Sequence, residues 1–201
     1  MSNGFIYALY LLAYAIIHSV LSADPVKQRV AALLGSAYAG YRLAYVVVSI
    51  ALLVPLLWVP KPEGILYAVP AALAPVLRTI QLAAIAGFVW TLRHFDNGQF
   101  LGFTQLKTGL QSDRDEEGAF SATGPFRWCR HPLYLFSSLF LLANPVATYA
   151  HSIFTFWVIF YFYLGSFLEE RHLLQTFGDA YARYQGVTPR FIPWGRSGMS
   201  N

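Results

Sequence analysis

Residues 4–21 read GFIYALYLLAYAIIHSVL, eighteen positions without a single charge. About 20 mostly apolar residues cross the roughly 30 Å hydrocarbon core of a bilayer, so this stretch has the length and chemistry of a transmembrane helix. A cleaved signal would carry positive residues ahead of its apolar run. Met1-Ser2-Asn3 carries none, so the segment reads as a retained helix. The stretch 41–59, around LAYVVVSIALLVPLLWV, reads as a second span, with Pro55 kinking its final turn. A third helix is expected at 74–92, after a lead-in at 64–73 that lies in the interface or re-enters the membrane. The polar stretch 93–130 follows, and then a hydrophobic hairpin, 131–143 and 149–168, broken at Asn144-Pro145. Its first arm is short for a span, which is tolerable where the polar backbone at its start is buried in protein. The expected fold class is therefore all-α: a polytopic membrane protein of about five transmembrane helices, including that one helical hairpin, plus a cytoplasmic C-terminal helix.

Composition points the same way. The 201 residues are 56% apolar and 12% charged, against about 45–50% and roughly 25% for soluble domains. So little charge cannot cover a water-soluble globule, which excludes a soluble enzyme, a disordered chain and a nucleic-acid-binding domain. The net charge of +4 has a different meaning here. Five spans place Lys27, Arg29, Arg42, Arg93, Lys107, Arg114, Arg127, Arg130, Arg171, Arg183, Arg190 and Arg196 on one side, leaving Lys61 and Arg78 on the other. Positive loops stay in the cytoplasm, so the N-terminus is expected outside and the C-terminus inside. Arg78 is the awkward residue, and snorkelling to the outer interface would accommodate it. No internal repeat or linker divides the chain, so 1–201 reads as a single domain whose polar chemistry gathers in 93–134 and 165–194. The lone Cys129 excludes an internal disulfide.

Three constellations could carry chemistry. The first is Thr123-Gly124-Pro125-Phe126-Arg127-Trp128-Cys129-Arg130-His131-Pro132-Leu133-Tyr134. Gly124-Pro125 makes a turn, and Pro132 suits the first turn of the helix that follows. A helix start offers free N–H groups to a carboxylate or phosphate, and Arg130 and His131 add donors. The same residues would also serve as a basic anchor at the interface, with Trp128 and Tyr134 as belt aromatics. The second is Glu169-Glu170, opening the tail EERHLLQTFGDAYARYQG. Leu173, Phe177, Tyr181 and Tyr184 fall on one face of a tail helix, with Gly186 as its C-cap. Paired carboxylates can hold a cation, and one can act as a base when burial raises its pKa. They could equally mark the end of the span. The third, His94-Phe95-Asp96 with Phe100 to Phe103 and Gln105, reads alone as an interfacial stretch. His18, His94, His131, His151 and His172 show no metal-ligand spacing, which leaves a bis-histidine haem at His18 and His131 as the one open metal reading. Neither a phosphate loop nor a dinucleotide fingerprint is present.

In order along the chain stand Gly124-Pro125-Phe126, then Arg130-His131-Pro132-Leu133-Tyr134, a hairpin, and Glu169-Glu170. Phe177-Gly178-x-x-Tyr181-x-x-Tyr184 and Ile192-Pro193 complete the series. This series resembles the integral membrane methyltransferases related to isoprenylcysteine carboxyl methyltransferase and the phospholipid methyltransferases, over about 120–194. A looser similarity, through His18-Ser19 and the segment from His94 to Gln105, is to the branch containing NnrU and the bacterial methanethiol S-methyltransferases. The resemblance implies S-adenosylmethionine as methyl donor, bound on the cytoplasmic side of a bacterial inner membrane beneath the tail helices. It implies that Arg130, His131, Tyr134 and Glu170 surround the cofactor, with Glu170 near its ammonium group. The Gly124 turn and the backbone at Phe120 and Ser121 would approach its adenosine. Glu169 matches a family glutamate at the reaction centre and becomes the candidate catalytic base, with no metal required.

In carboxyl-methylating relatives an arginine four residues before that glutamate holds the acceptor. Here that position is Gly165, and 160–168 contains no basic residue. The missing arginine shifts the expected acceptor to a small thiol or another lipophilic, neutral molecule. Membrane lipid is the surrounding partner, with no nucleic acid and no obligate protein partner evident. The alternatives are a non-catalytic, NnrU-like accessory protein of the membrane, or an isoprenylcysteine- or phospholipid-type methyltransferase.

Overall fold

A computed structural model describes residues 2–109 and 122–193. The chain is an all-α polytopic membrane protein. Its helices are α1 (Asn3–Ser22), α2 (Asp24–Leu34), α3 (Tyr41–Ala51), α4 (Ala74–Leu92), α5 (Asn97–Leu101) and α6 (Phe103–Thr108). After the undescribed stretch come α7 (Pro132–Leu142), α8 (Tyr149–Phe177) and α9 (Asp179–Val187). Among the described residues, four stretches are long and apolar enough to cross a membrane: Asn3–Ser22, Asp24–Leu57, Ala74–Leu92 and Tyr149–Phe177. The shorter apolar helix Pro132–Leu142 is the first arm of the expected hairpin.

Burial follows an inside-out pattern. Leu82, Phe156 and Leu168 are exposed, whereas Gln81, Ala84 and Thr91 of α4 and Thr155 and Ser166 of α8 are buried. Lipid tails solvate large apolar side chains as well as a protein core does, so helix contacts fall to small and weakly polar residues.

Two compact units divide the chain: Met1–Glu63 with Asp96–Glu117, and Gly64–Phe95 with Gly118–Asn201, each in its described part. In the first unit, side chains tie α1 to α3. Tyr41 donates to the Leu21 carbonyl at 2.6 Å, Tyr10 donates to the Leu52 carbonyl, and the Tyr45 hydroxyl lies 2.7 Å from His18 Nε2. The expected kink at Pro55 is instead an end. The helix α3 stops at Ala51, and a separate 3₁₀ turn, Val54–Leu57, carries Pro55 in its first positions. Proline lacks the N–H that would continue the α-helical ladder, and that turn accommodates it.

The second unit is built on the pairing of α4 with α7. A Cβ placed on Gly87 would come 2.4 Å from Phe136 Cε1, so the bare glycine is what lets the two helices close. Arg78 Nη1 donates to Gln81 Oε1 at 2.8 Å, and the Gln81 amide donates to the Phe140 carbonyl at 3.0 Å. Arg78 is thus tied by a relay to α7, rather than only reaching for the interface. The lead-in at 64–73 contains a strand. Ile65–Ala68 (β1) pairs antiparallel with Val146–Thr148 (β2), with Ile65 opposite Thr148 and Ala68 opposite Val146. Pairing satisfies backbone groups that an irregular segment near lipid would leave open.

Candidate functional site

The end of α8 sets the site. Adjacent helical residues point about 100° apart, so a glutamate pair cannot face one way. Glu170 points inward and is 3% exposed, whereas the Glu169 side chain keeps 47% of its surface.

Arg130 and Arg190 reach Glu170 because their backbones run side by side. Arg130 N donates to the Pro189 carbonyl at 2.9 Å and His131 N to the Arg190 carbonyl at 3.0 Å. Both guanidinium groups then grip the carboxylate through two donors each. Arg130 bonds at 2.8 and 3.3 Å, and Arg190 at 3.1 and 2.8 Å. Forked contacts of this kind are the strong charge-assisted ones. Gln185 Nε2 donates to the same carboxylate at 3.0 Å, and His131 Nε2 lies 3.0 Å from it. Arg130 has a second task. Its Nη1 donates to the carbonyls of Gln185 at 3.1 Å and Thr188 at 2.6 Å, satisfying acceptors left open at the end of α9. The tail therefore folds back as two helices broken at Gly178, where φ is +52°. Gly186, expected as a cap, lies inside α9, and the chain leaves that helix at Thr188 in an extended conformation.

His131 stands between the carboxylates, with Nδ1 3.3 Å from Glu169 Oε2 and Nε2 3.0 Å from Glu170 Oε1. A neutral imidazole can donate to only one of them, an imidazolium to both. These contacts occupy both nitrogens, so neither is left for an axial bond to haem iron. Tyr134 donates to Glu169 Oε2 at 3.0 Å. Its ring stacks on His131 at 5.2 Å and on Phe162 at 4.4 Å, both nearly parallel. Arg190 lies over the Phe167 ring at 3.8 Å. The result is a wall of cations and aromatic faces, with one half-exposed carboxylate at its edge.

Burial also acts on the thiol and phenols nearby. Burial pushes the Cys129 thiol up to about 11, despite a backbone hydrogen bond from His131 that favours the thiolate. Burial also raises Tyr181 and Tyr184 well above the usual phenol range. Tyr184 acts instead as a donor, to the Phe126 carbonyl.

Gly124 begins the 3₁₀ turn that leads to Arg130 and has φ +56°. A Cβ there would lie 2.1 Å from His94 Nε2, whose ring is held by a 2.9 Å contact between Nδ1 and the Trp90 carbonyl. Gly124→Ala is expected to destabilise the protein by about 1–3 kcal/mol, from left-handed strain plus the displaced ring. The double variant with His94→Ala should recover the steric part, as a double-mutant cycle on detergent melting curves would show.

Of the residues expected from sequence, Arg130, His131, Tyr134, Glu169 and Glu170 converge, and Gly124 lies in the turn that feeds them. Phe120 and Ser121 lie outside the described residues. Arg190 and Gln185 join the cluster although no sequence motif points to them. In the sequence Arg190 reads only as a topological charge, and its one local signal is its place after Pro189 at the end of the tail.

Comparison with known proteins gives the site a context. Over 143 residues the chain is 30% identical to methanethiol S-methyltransferase 1 of Bradyrhizobium diazoefficiens, covering 70% of this chain and 49% of that protein. It is 27% identical over 192 residues to methanethiol S-methyltransferase of Pseudomonas deceptionensis, covering 92% of this chain and 71% of that protein. A Mycobacterium tuberculosis methanethiol S-methyltransferase is 28% identical over 112 residues, 56% of this chain and 45% of its own length. The chain thus spans about half the length of the first of these relatives. No solved structure matches it. Residues 72–180, which carry α4, α7, all of α8 and both glutamates, match the phospholipid methyltransferase family, and the chain belongs to that family.

Proposed function

We propose that the protein transfers a methyl group from S-adenosylmethionine to a small thiol at the membrane. The observation that carries this reading is the pairing of a saturated inner carboxylate, Glu170, with a half-exposed outer one, Glu169, across a single imidazole. The names of the relatives, all methanethiol S-methyltransferases, favour the thiol acceptor.

The donor set fits an amino-acid cofactor. Its carboxylate would meet the Arg130 and Arg190 side of the cluster, which Glu170 orients. For Glu170 to take the cofactor's ammonium group directly, one of its donors has to yield, and neutral Gln185 is the least strongly held. The Gly124 turn, with Phe120 and Ser121, would face adenosine. The bound cofactor supplies an electrophilic methyl group. Glu169, fixed through Oε2 by Tyr134 and His131, would take the thiol proton, because the thiolate is the better nucleophile. The apolar surroundings favour a step in which opposite charges cancel, and holding the reactants in line adds to the rate. The charge distribution supports a cytoplasmic site, with the N-terminus outside and the C-terminus inside.

Gly165 supports a small acceptor. It lies on α8 between Phe162 and Glu169, both of which touch Tyr134, and a Cβ there would meet nothing within 4 Å. Gly165→Leu should slow transfer to methanethiol by about a hundredfold, a cost typical of a displaced reactant, while cofactor affinity stays unchanged. Leucine also suits a helix interior better than glycine, so misfolding would not explain the loss. Full turnover in this variant would show that the acceptor sits elsewhere.

The decisive experiment uses purified protein in detergent, methyl-labelled cofactor, and a panel containing methanethiol, a prenylcysteine and phosphatidylethanolamine. Labelled dimethyl sulfide supports the proposal. Label in the prenylcysteine or the lipid moves the acceptor, and cofactor binding with no product points to the accessory role that the missing arginine at 165 would favour.

A further inference from the structure

A groove of about 420 Å³ lies among α4, α7 and α8 of the second unit. On α8 its lining residues are Phe154, Val158 and Phe162, at steps of four. Further steps of three and four along the same helix reach Gly165 and then Glu169. At about 100° per residue, all five fall within an arc of about 80°. One face of α8 therefore runs from the groove to the candidate base. On α7, Leu141, Ser137 and Tyr134 follow at the same helical spacing, and the first two also line the groove. The two rows meet at the site. The Phe162 ring stacks on Tyr134 at 4.4 Å, and Tyr134 donates to Glu169 at 3.0 Å.

The groove carries no charge, and among the described lining residues Ser137 alone has a polar side chain. Such walls suit a hydrocarbon chain and reject a head group, because an unpaired charge or polar group is costly to bury there. Size points the same way. Pockets of about 300–1,000 Å³ accommodate drug-sized molecules, and methanethiol, one carbon and one sulfur, would leave a groove of this volume almost empty. Between the Phe162 ring and Glu169 along the helix stands Gly165, where a Cβ would meet nothing within 4 Å. The missing side chain leaves a way past the ring. Gly165 thus favours a small head on the acceptor, and the groove beyond it has room for a tail.

We propose that the preferred acceptor is an unbranched alkyl thiol longer than methanethiol, with its sulfur at Glu169 and its chain passing Gly165 and Phe162 into the groove at Val158. This inference rests on the methyl-transfer reading above and adds the class of thiol. In the step, a bond forms between the thiol sulfur and the methyl carbon. The bond from that carbon to the donor sulfonium breaks, and its electron pair stays on the donor sulfur. The thiol proton goes to Glu169.

The test uses the purified full chain in detergent with saturating methyl-labelled S-adenosylmethionine. The acceptors are methanethiol, butanethiol, hexanethiol and octanethiol, each held at the same free aqueous concentration, set by headspace measurement so that uptake into micelles does not distort the comparison. Each methylene buried in the groove should raise kcat/KM by up to about fourfold, so butanethiol should exceed methanethiol by about tenfold or more. Val158→Trp, which fills the groove, should lower the ratio of hexanethiol to methanethiol kcat/KM by about tenfold, the equivalent of roughly two buried methylenes. Phe154→Ala, which lengthens the groove, should raise the ratio of octanethiol to hexanethiol. Ratios within one preparation cancel any loss of folded protein. A flat chain-length profile with methanethiol still turned over overturns the inference and leaves transfer to a small thiol standing, the groove then being filled by a membrane lipid chain. A ratio unchanged in Val158→Trp overturns it as well. Failure to methylate any thiol overturns both this inference and the reading on which it rests.

Discussion

Replacing Glu170 with alanine is expected to cost the folded protein about 3–5 kcal/mol, the range found when one partner of a buried ion pair is removed. The loss is large because Glu170 serves several groups at once. Arg130 and Arg190 each place two donors on its carboxylate, Gln185 adds another, and His131 lies against it. Removing the acceptor leaves Arg130, whose side chain is only 11% exposed, beside Arg190 with nothing between their charges. Arg130 would also lose the anchor that holds it on the carbonyls of Gln185 and Thr188, so α9 should loosen with the site. In a chain of this size, such a loss corresponds to a fall in melting temperature on the order of 10 °C. Arg190→Ala should cost less, since that side chain is 24% exposed and solvent screens it. Saturating cofactor should not restore the Glu170→Ala protein, because the missing charge is internal to the fold. Melting curves in detergent, with and without cofactor, would check both points. A shift of only a degree or two for Glu170→Ala would mean that the cluster does not hold the tail in place.

Much of this architecture was legible because membranes impose length and charge rules on a chain. The limits of α4 match the expected 74–92, and α8 begins at Tyr149, where the apolar run begins. The order Arg130-His131-Pro132 marked the start of α7, and five of the residues expected at the site do meet. What escaped was nonlocal. Nothing near Ile65 announces a strand partner at Thr148, because β1 and β2 find each other only after the hairpin folds back. Arg190 reaches Glu170 through the pairing of residues 130–131 with 189–190, which no local spacing records. The helical period separates Glu169 from Glu170 by about 100°, but which of them turns inward depends on where the two arginines lie. The sequence order therefore named the pair, and the packing divided their tasks.

That division makes Glu169→Gln the sharpest probe of the chemistry. The variant is expected to fold normally and to slow methyl transfer to a thiol by about 10²–10⁴-fold, the contribution of a well-placed general base. Stability should move by no more than about 0.5 kcal/mol, as for most half-exposed positions. Glutamine can still accept from Tyr134, so the ring stack of His131, Tyr134 and Phe162 need not shift. What it cannot do is take a proton. A thiol also loses its proton to solvent as pH rises, so the variant's rate should climb with pH towards that of the wild type, and the deficit should shrink steadily. Cofactor affinity supplies the discriminating measurement. If Glu169 acts as the base, Glu169→Gln changes turnover and leaves cofactor binding in place. If it instead holds the cofactor's ammonium group, binding weakens and raising the pH rescues nothing. A variant with wild-type turnover at neutral pH would remove Glu169 from the reaction altogether. The thiol proton would then have to leave by another route, for which the neighbouring Cys129, Tyr181 and Tyr184, all shifted upward by burial, offer no base.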